Sequence, residues 1–162
     1  MQSIIRDARE SDDAAIREVV RAAFGGVGEA DLVDALRRPG DLAVSLVADH
    51  DGAVIGHLGL SRLRSPPDGL ALAPLSVAPD FQRRGIGGAL VEASLERGRG
   101  LGYAIVFVLG DPAYYGRFGF SAGEAERYAS PYAGPHFMCV LLRSTVGPPA
   151  PVIYPPAFDA LS

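Results

Sequence analysis

A chain of 162 residues is long enough to bury one core and too short for two ordinary domains, so a single domain spanning 1–162 is expected. Apolar residues make up 48% and charged residues 21%, which excludes a disordered chain, and a net charge of −4 argues against non-specific binding to nucleic acid or an anionic membrane. The lone cysteine, Cys139, has no disulfide partner in the chain, and its setting, "HFMCVLL", reads as a strand in which it is a small buried apolar side chain.

Residues 3–7, "SIIRD", read as a short strand. From 10 to 24, "ESDDAAIREVVRAAF" carries Ala14, Ile16, Val19, Val20, Ala23 and Phe24 at helical spacing, with Ser11, Asp12 or Asp13 as its cap and Gly25-Gly26 as its stop. A second amphipathic helix, "EADLVDALRR" at 29–38, ends before Pro39-Gly40. The strands "DLAVSLVAD" and "AVIGHLGLSRLR" flank Asp51-Gly52, a tight hairpin signal. Pro74 cannot donate to a ladder, so the next strand, "LALAPLSVAP", is expected to be bulged near Pro74 to Ser76. Residues 84–99 form a helix with Ile86, Leu90, Val91 and Leu95 on its apolar face. "YAIVFVL" at 103–109 is a buried strand, far short of the ~18 residues of a membrane span. "DPAYYGRF" opens with Asp-Pro, the N-cap and first position of a short helix, and "HFMCVLLR" and "PVIY" read as late strands. A strand, helix and strand around residue 90 imply a parallel pair, and the hairpin implies antiparallel neighbours, so the sheet is mixed.

The chemistry concentrates in "SVAPDFQRRGIGGAL". Three glycines in four positions carry a large backbone entropy cost, and they stand where a strand hands over to a helix. There the backbone amides of residues 82–88 have no helical acceptor and meet the positive end of the helix dipole, an arrangement that binds anions. Arg83 and Arg84 add charge; spacing leaves open which of them faces the ligand. A dinucleotide fingerprint fails because its third glycine position is Leu90, and a nucleotide P-loop fails because the chain has no lysine. A packing role for the glycines stays open on their number alone.

The stretch from "LSVAPDFQRRGIGGAL" to "LGDPAYYGRFGF" resembles the core of the GNAT superfamily of acetyl-CoA-dependent N-acetyltransferases. The glycine motif appears as Gln82-Arg83-Arg84-Gly85-Ile86-Gly87, and a tyrosine precedes Gly-Phe after the following strand. "GHLGLSRL" and "PVIYPPAF" extend the likeness to a bacterial branch of predicted acetyltransferases and to essentially the whole chain. The resemblance implies the acyl-CoA N-acyltransferase fold. This is an α/β domain on one mixed, mostly antiparallel sheet with a central splayed parallel pair and about four flanking helices. It implies acetyl-CoA as co-substrate, no metal, and direct attack by a primary amine in a ternary complex. The pyrophosphate would sit on Gln82, Arg83, Arg84, Gly85, Ile86, Gly87 and Gly88. Pantetheine would run beside Leu75, Ser76 and Val77, with the Leu75 amide donating to the acetyl carbonyl, a contact of the kind worth ~3 kcal/mol.

By the same likeness Tyr115, four residues before Gly119, is the general acid that protonates the departing thiolate, with Tyr114 in reserve. The base is open: the family's strand glutamate is missing from "LALAPLSVAP", leaving Glu29, Asp31, His57, Asp68 or water. That gap keeps a different class in view, a non-catalytic acyl-CoA-binding regulatory module. The acceptor is a small-molecule or peptide amine of undetermined identity, and the expected assembly is a monomer or homodimer. The charged stretch "MQSIIRDARESDD" lacks the apolar core of a signal peptide, so the expected location is the cytoplasm.

Overall fold

The computed structural model describes residues 3–161. Strands β1 (Ser3–Asp7), β2 (Leu42–His50), β3 (Ala53–Arg62), β4 (Gly69–Val77), β5 (Ile105–Leu109) and β6 (Phe137–Leu141) lie side by side in that order in one sheet. All neighbours are antiparallel except β4 and β5, which run parallel because α3 (Ile86–Gly100) carries the chain back between them. Helices α1 (Asp13–Phe24) and α2 (Gly28–Arg37) cover one face and α3 covers the other.

Side-chain alternation assigns the strand residues to these faces. Val106 and Val108 join Leu46, Leu58, Leu60 and Leu70 beneath Leu90 and Val91 of α3, whereas Ile105 and Phe107 point toward Leu32 and Leu36 of α2. The four expected apolar positions of α3, Ile86, Leu90, Val91 and Leu95, are all buried. Asp51 and Gly52 close the β2–β3 hairpin with φ of 51° and 93°, the left-handed pair that an Asp-Gly turn supplies at low strain.

β4 is irregular where Pro74 falls. Leu58 pairs with Leu75 and Leu60 with Leu72, so two steps along β3 face three along β4, and the extra residue lies at Ala73–Pro74. On its other edge β4 pairs with β5 only from Gly69–Ile105 to Ala71–Phe107. Beyond that point β4 continues to Val77 and β5 to Leu109 without ladder pairing, and the two strands splay.

Several boundaries differ from the sequence expectations for local reasons. None of Ser11, Asp12 or Asp13 caps α1 through its side chain: residues 10–12 form a 3₁₀ turn, and the Asp12 carboxylate instead accepts from the Arg9 amide and the Arg6 guanidinium. The glycine-motif helix starts at Ile86 rather than 84, because Gly85 is left-handed. The expectation of about four flanking helices agrees with the five α-helices among the described residues, of which α4 (Pro112–Tyr115) and α5 (Ala122–Ala125) are single turns. "PVIY" is no strand but a single bridge from Ile153 to Ser65. Among the described residues no helix is long and apolar enough to cross a membrane.

Candidate functional site

The glycine segment owes its shape to two left-handed residues. After a 3₁₀ turn at Pro79–Phe81, Gln82 is extended and its side-chain amide donates to the Val77 carbonyl at 3.0 Å, tying the loop to the end of β4. Arg83 (φ 64°) and Gly85 (φ 82°) then reverse the chain into α3. A side chain at 85 would be strained by that φ, although the space around it is open. The first helical bond of α3 runs from the Ala89 amide to the Gly85 carbonyl, so the amides of 86–88 precede the ladder and are free for a ligand.

Gly87 and Gly88 have a steric reason as well. A Cβ on Gly87 would stand 2.7 Å from the Tyr114 hydroxyl, and one on Gly88 would stand 3.4 Å from the Phe118 ring. Both glycines let the Tyr114–Phe118 turn close over the start of α3. A cleft of about 760 Å³ lies between them, bordered by Leu75, Val77, Gln82, Arg83, Gly87 and Tyr114. Its electrostatics favour an anion. Arg117 also borders the cleft, its guanidinium 4.6 Å above the Tyr114 ring, and neither Arg83 nor Arg117 has a salt-bridge partner among the described residues. Glu92, one turn farther along α3, is the carboxylate at its edge.

Not every expected ligand-binding side chain faces this cleft. Arg84 turns to the opposite side of the helix start and lies over Phe81, 5.2 Å from the ring centre. The structure thus separates the two arginines that spacing left equivalent. Ile86 is buried in the core and offers only its amide, and Ser76 is buried opposite His57 with no hydrogen-bond partner for its hydroxyl.

A second cavity, about 540 Å³, opens at the same splay on the α1/α2 face. Leu75 borders both cavities, and two adjacent tyrosines border one each, Tyr114 on the α3 side and Tyr115 on the other. The Asp111 carboxylate accepts from the Ala113 amide and caps α4, with Pro112 at its first position, and the two rings then diverge edge to face at 5.0 Å. Burial pushes the Tyr115 hydroxyl up to about 12, with Tyr114 a lesser cause, so it stays protonated at neutral pH. Burial raises Tyr114 too, against Arg117. Gly110 fits the Tyr115 ring: a Cβ there would stand 2.6 Å from its edge. Sequence reading passed over Gly110, although its signal was the glycine just before Asp111-Pro112.

The four side-chain candidates for a base separate clearly. Glu29, in the first turn of α2, borders the cavity that Tyr115 lines. Asp31 is held by Arg17 at 2.8 Å. His57 is fully buried, bonded through Nε2 to the Ser45 hydroxyl at 2.9 Å, and burial lowers it to about 3, keeping it neutral. Asp68 borders a different hollow beside Pro66, Ile105 and Tyr128. The wall of the cavity that Tyr115 lines also holds Tyr132, Tyr154 and Phe158, which the sequence reading did not single out. No cluster of metal-ligating side chains is present among the described residues.

Residues 13–120 match the acetyltransferase (GNAT) family. The chain is 38% identical over 153 residues to the uncharacterized N-acetyltransferase YjhQ of Escherichia coli K12, spanning 86% of this chain and 83% of that one. Its fold matches that of the GNAT family N-acetyltransferase YhbS from Escherichia coli, solved in complex with CoA, with a TM-score of 0.92 and 31% identity over 98% of this chain and 93% of that one. A GNAT family acetyltransferase from Brucella melitensis in complex with acetyl-CoA matches with a TM-score of 0.83 and 36% identity over 98% and 99% of the two chains. A family match over residues 13–120, joined to this likeness over nearly the whole length, shows that the chain belongs to the GNAT family and is an acetyl-CoA-dependent acyltransferase.

Proposed function

We propose that the protein transfers the acetyl group of acetyl-CoA to a primary amine held in the α1/α2-side cavity, by direct attack in a ternary complex in the cytoplasm. The observation that carries this reading is the splay itself. It exposes an unpaired edge of β4 between an anion-attracting helix start and a separate cavity, with Leu75 bordering both.

In this reading the amides of 86–88, Arg83 and Arg117 hold the pyrophosphate, and the free β4 edge from Leu75 to Val77 pairs with pantetheine as an added strand would. Gln82 secures the loop to Val77, and Ile86 and Gly88 contribute backbone. Arg84 reaches the phosphates only by leaving Phe81. The Leu75 amide donates to the acetyl oxygen as charge develops there. The amine nitrogen bonds to the carbonyl carbon and the carbon–sulfur bond breaks, yielding an N-acetyl amide and a thiol. Glu29, directly or through water, takes the proton that nitrogen loses, and Tyr115 supplies the one the sulfur gains.

Gly87→Asp tests the coenzyme half of this reading. It places a carboxylate between Tyr114 and the free amides, and coenzyme A affinity measured by calorimetry should fall by ~100-fold or more, as for a buried like-charge contact. Wild-type affinity in a folded variant would remove the pyrophosphate from this helix start.

A further inference from the structure

The acceptor-side cavity carries a description of its occupant. Leu32, Phe107, Tyr132, Tyr154 and Phe158 form its wall, and Tyr132, Tyr154 and Phe158 stack edge on or tilted with ring centres 5.2 and 5.1 Å apart. Its mouth is apolar too: Phe24 and Leu109, which border it, are 47% and 53% exposed. One carboxylate, Glu29, completes the lining, and no arginine or histidine does so among the described residues. Lysine is absent from the chain.

We propose that the acceptor is a monoamine on an uncharged, apolar or aromatic body, of the arylalkylamine kind. This rests on the acetyltransferase reading given above. Each excluded class fails on a charge that the cavity leaves unpaired. An amino acid would bring its carboxylate against aromatic rings with no cation to meet it, and burying an unpaired charge is strongly unfavourable. Polyamines and aminoglycosides carry several ammonium groups, and the lining offers a single acid. A monoamine satisfies the site in full: Glu29 and the faces of the rings attract the ammonium on its way in. The apolar body then covers the walls. At about 540 Å³ the cavity is within the range of small-molecule sites.

The test compares acetyl transfer to 2-phenylethylamine, L-phenylalanine and spermidine, with coenzyme A binding measured separately by calorimetry. 2-Phenylethylamine and L-phenylalanine differ by one carboxylate, and kcat/KM for the first should exceed that for the second by ~100-fold, the discrimination a misplaced polar group produces. Spermidine should rank with L-phenylalanine. Leu109→Arg, at an exposed rim position, supplies the missing cation and should narrow the gap between the two aromatic amines, while Glu29→Gln should raise KM for 2-phenylethylamine about fivefold, as the loss of an ion pair does, on top of the fall in kcat that follows from removing the base. A preference for L-phenylalanine or spermidine, with coenzyme A still bound, overturns the acceptor class and leaves the acetyltransferase reading intact. Coenzyme A binding without turnover of any of the three amines and without a saturation-transfer NMR signal from 2-phenylethylamine also overturns the acceptor class. Absence of coenzyme A binding overturns both.

Discussion

Tyr114 and Tyr115 are neighbours in sequence and serve different cavities, because consecutive residues on a helix point about 100° apart. Tyr115→Phe keeps the ring in the space Gly110 leaves for it and removes only the hydroxyl, so kcat should fall by roughly 10²-fold with coenzyme A affinity unchanged. Tyr114→Phe removes a hydroxyl beside Gly87 and should weaken coenzyme A binding more than it slows turnover. Steady-state kinetics and calorimetry on the two variants separate these outcomes, and equal effects would show that neither hydroxyl has a distinct role. Because burial raises the Tyr115 hydroxyl to about 12, kcat of the wild type should show no alkaline decline from this group through pH 10. The sequence pointed to the tyrosine pair through its distance from Gly119. It could not show which cavity each faces, since that follows from the cap at Asp111 and the space at Gly110 acting together.

At the scale of elements, the legible features were those fixed by a few adjacent residues. Asp51-Gly52 turns the hairpin, Asp111-Pro112 caps α4, and Pro74 marks the slip in β4. α5 was illegible because four residues hold barely one helical period, and "PVIY" misled because Val152 and Tyr154 pack into the α2-side core while Ile153, exposed, makes only one bridge to Ser65. Arg6 shows how long-range pairing decides a boundary: its guanidinium joins Asp49 of β2, at 3.0 Å, to Asp12 in the turn before α1, at 2.8 Å. Hydrogen bonding from Arg6 holds the Asp12 carboxyl down at about 2 from its ordinary 3.8. The folded state therefore favours the ionised form, and this stabilisation is present above pH 3.8 and disappears as the pH falls toward 2. Urea unfolding should find Arg6→Ala less stable than wild type by about 1 kcal/mol at neutral pH, after allowance for solvent screening, with the gap closing across that acid window. A gap independent of pH would mean that the charge of the clamp plays no part.

The least legible property belongs to the whole molecule: Glu29, Phe107, Tyr132, Tyr154 and Phe158 lie far apart in the chain and meet only when the sheet forms. No local pattern announces such a cavity. Cys139 reports on the same closure. It is buried on β6 opposite Phe107 of β5, in one cluster with Tyr128, and burial raises its thiol to about 12, so a thiol reagent can reach it only when the fold opens. Coenzyme A at 100 times its Kd should slow labelling of Cys139 by ~100-fold, since it binds only the folded chain. Labelling as fast as for a free thiol, or no slowing by the ligand, would show local access instead. The placement of the two cavities also bears on traffic. One opens on the α3 face and the other on the α1/α2 face, and they share Leu75 as a common border. If donor and acceptor occupy these cavities as proposed, neither substrate would stand in the other's doorway, so the acetylated amide could depart while the spent thiol is still seated, and a fresh donor could load without waiting for the acceptor side to clear.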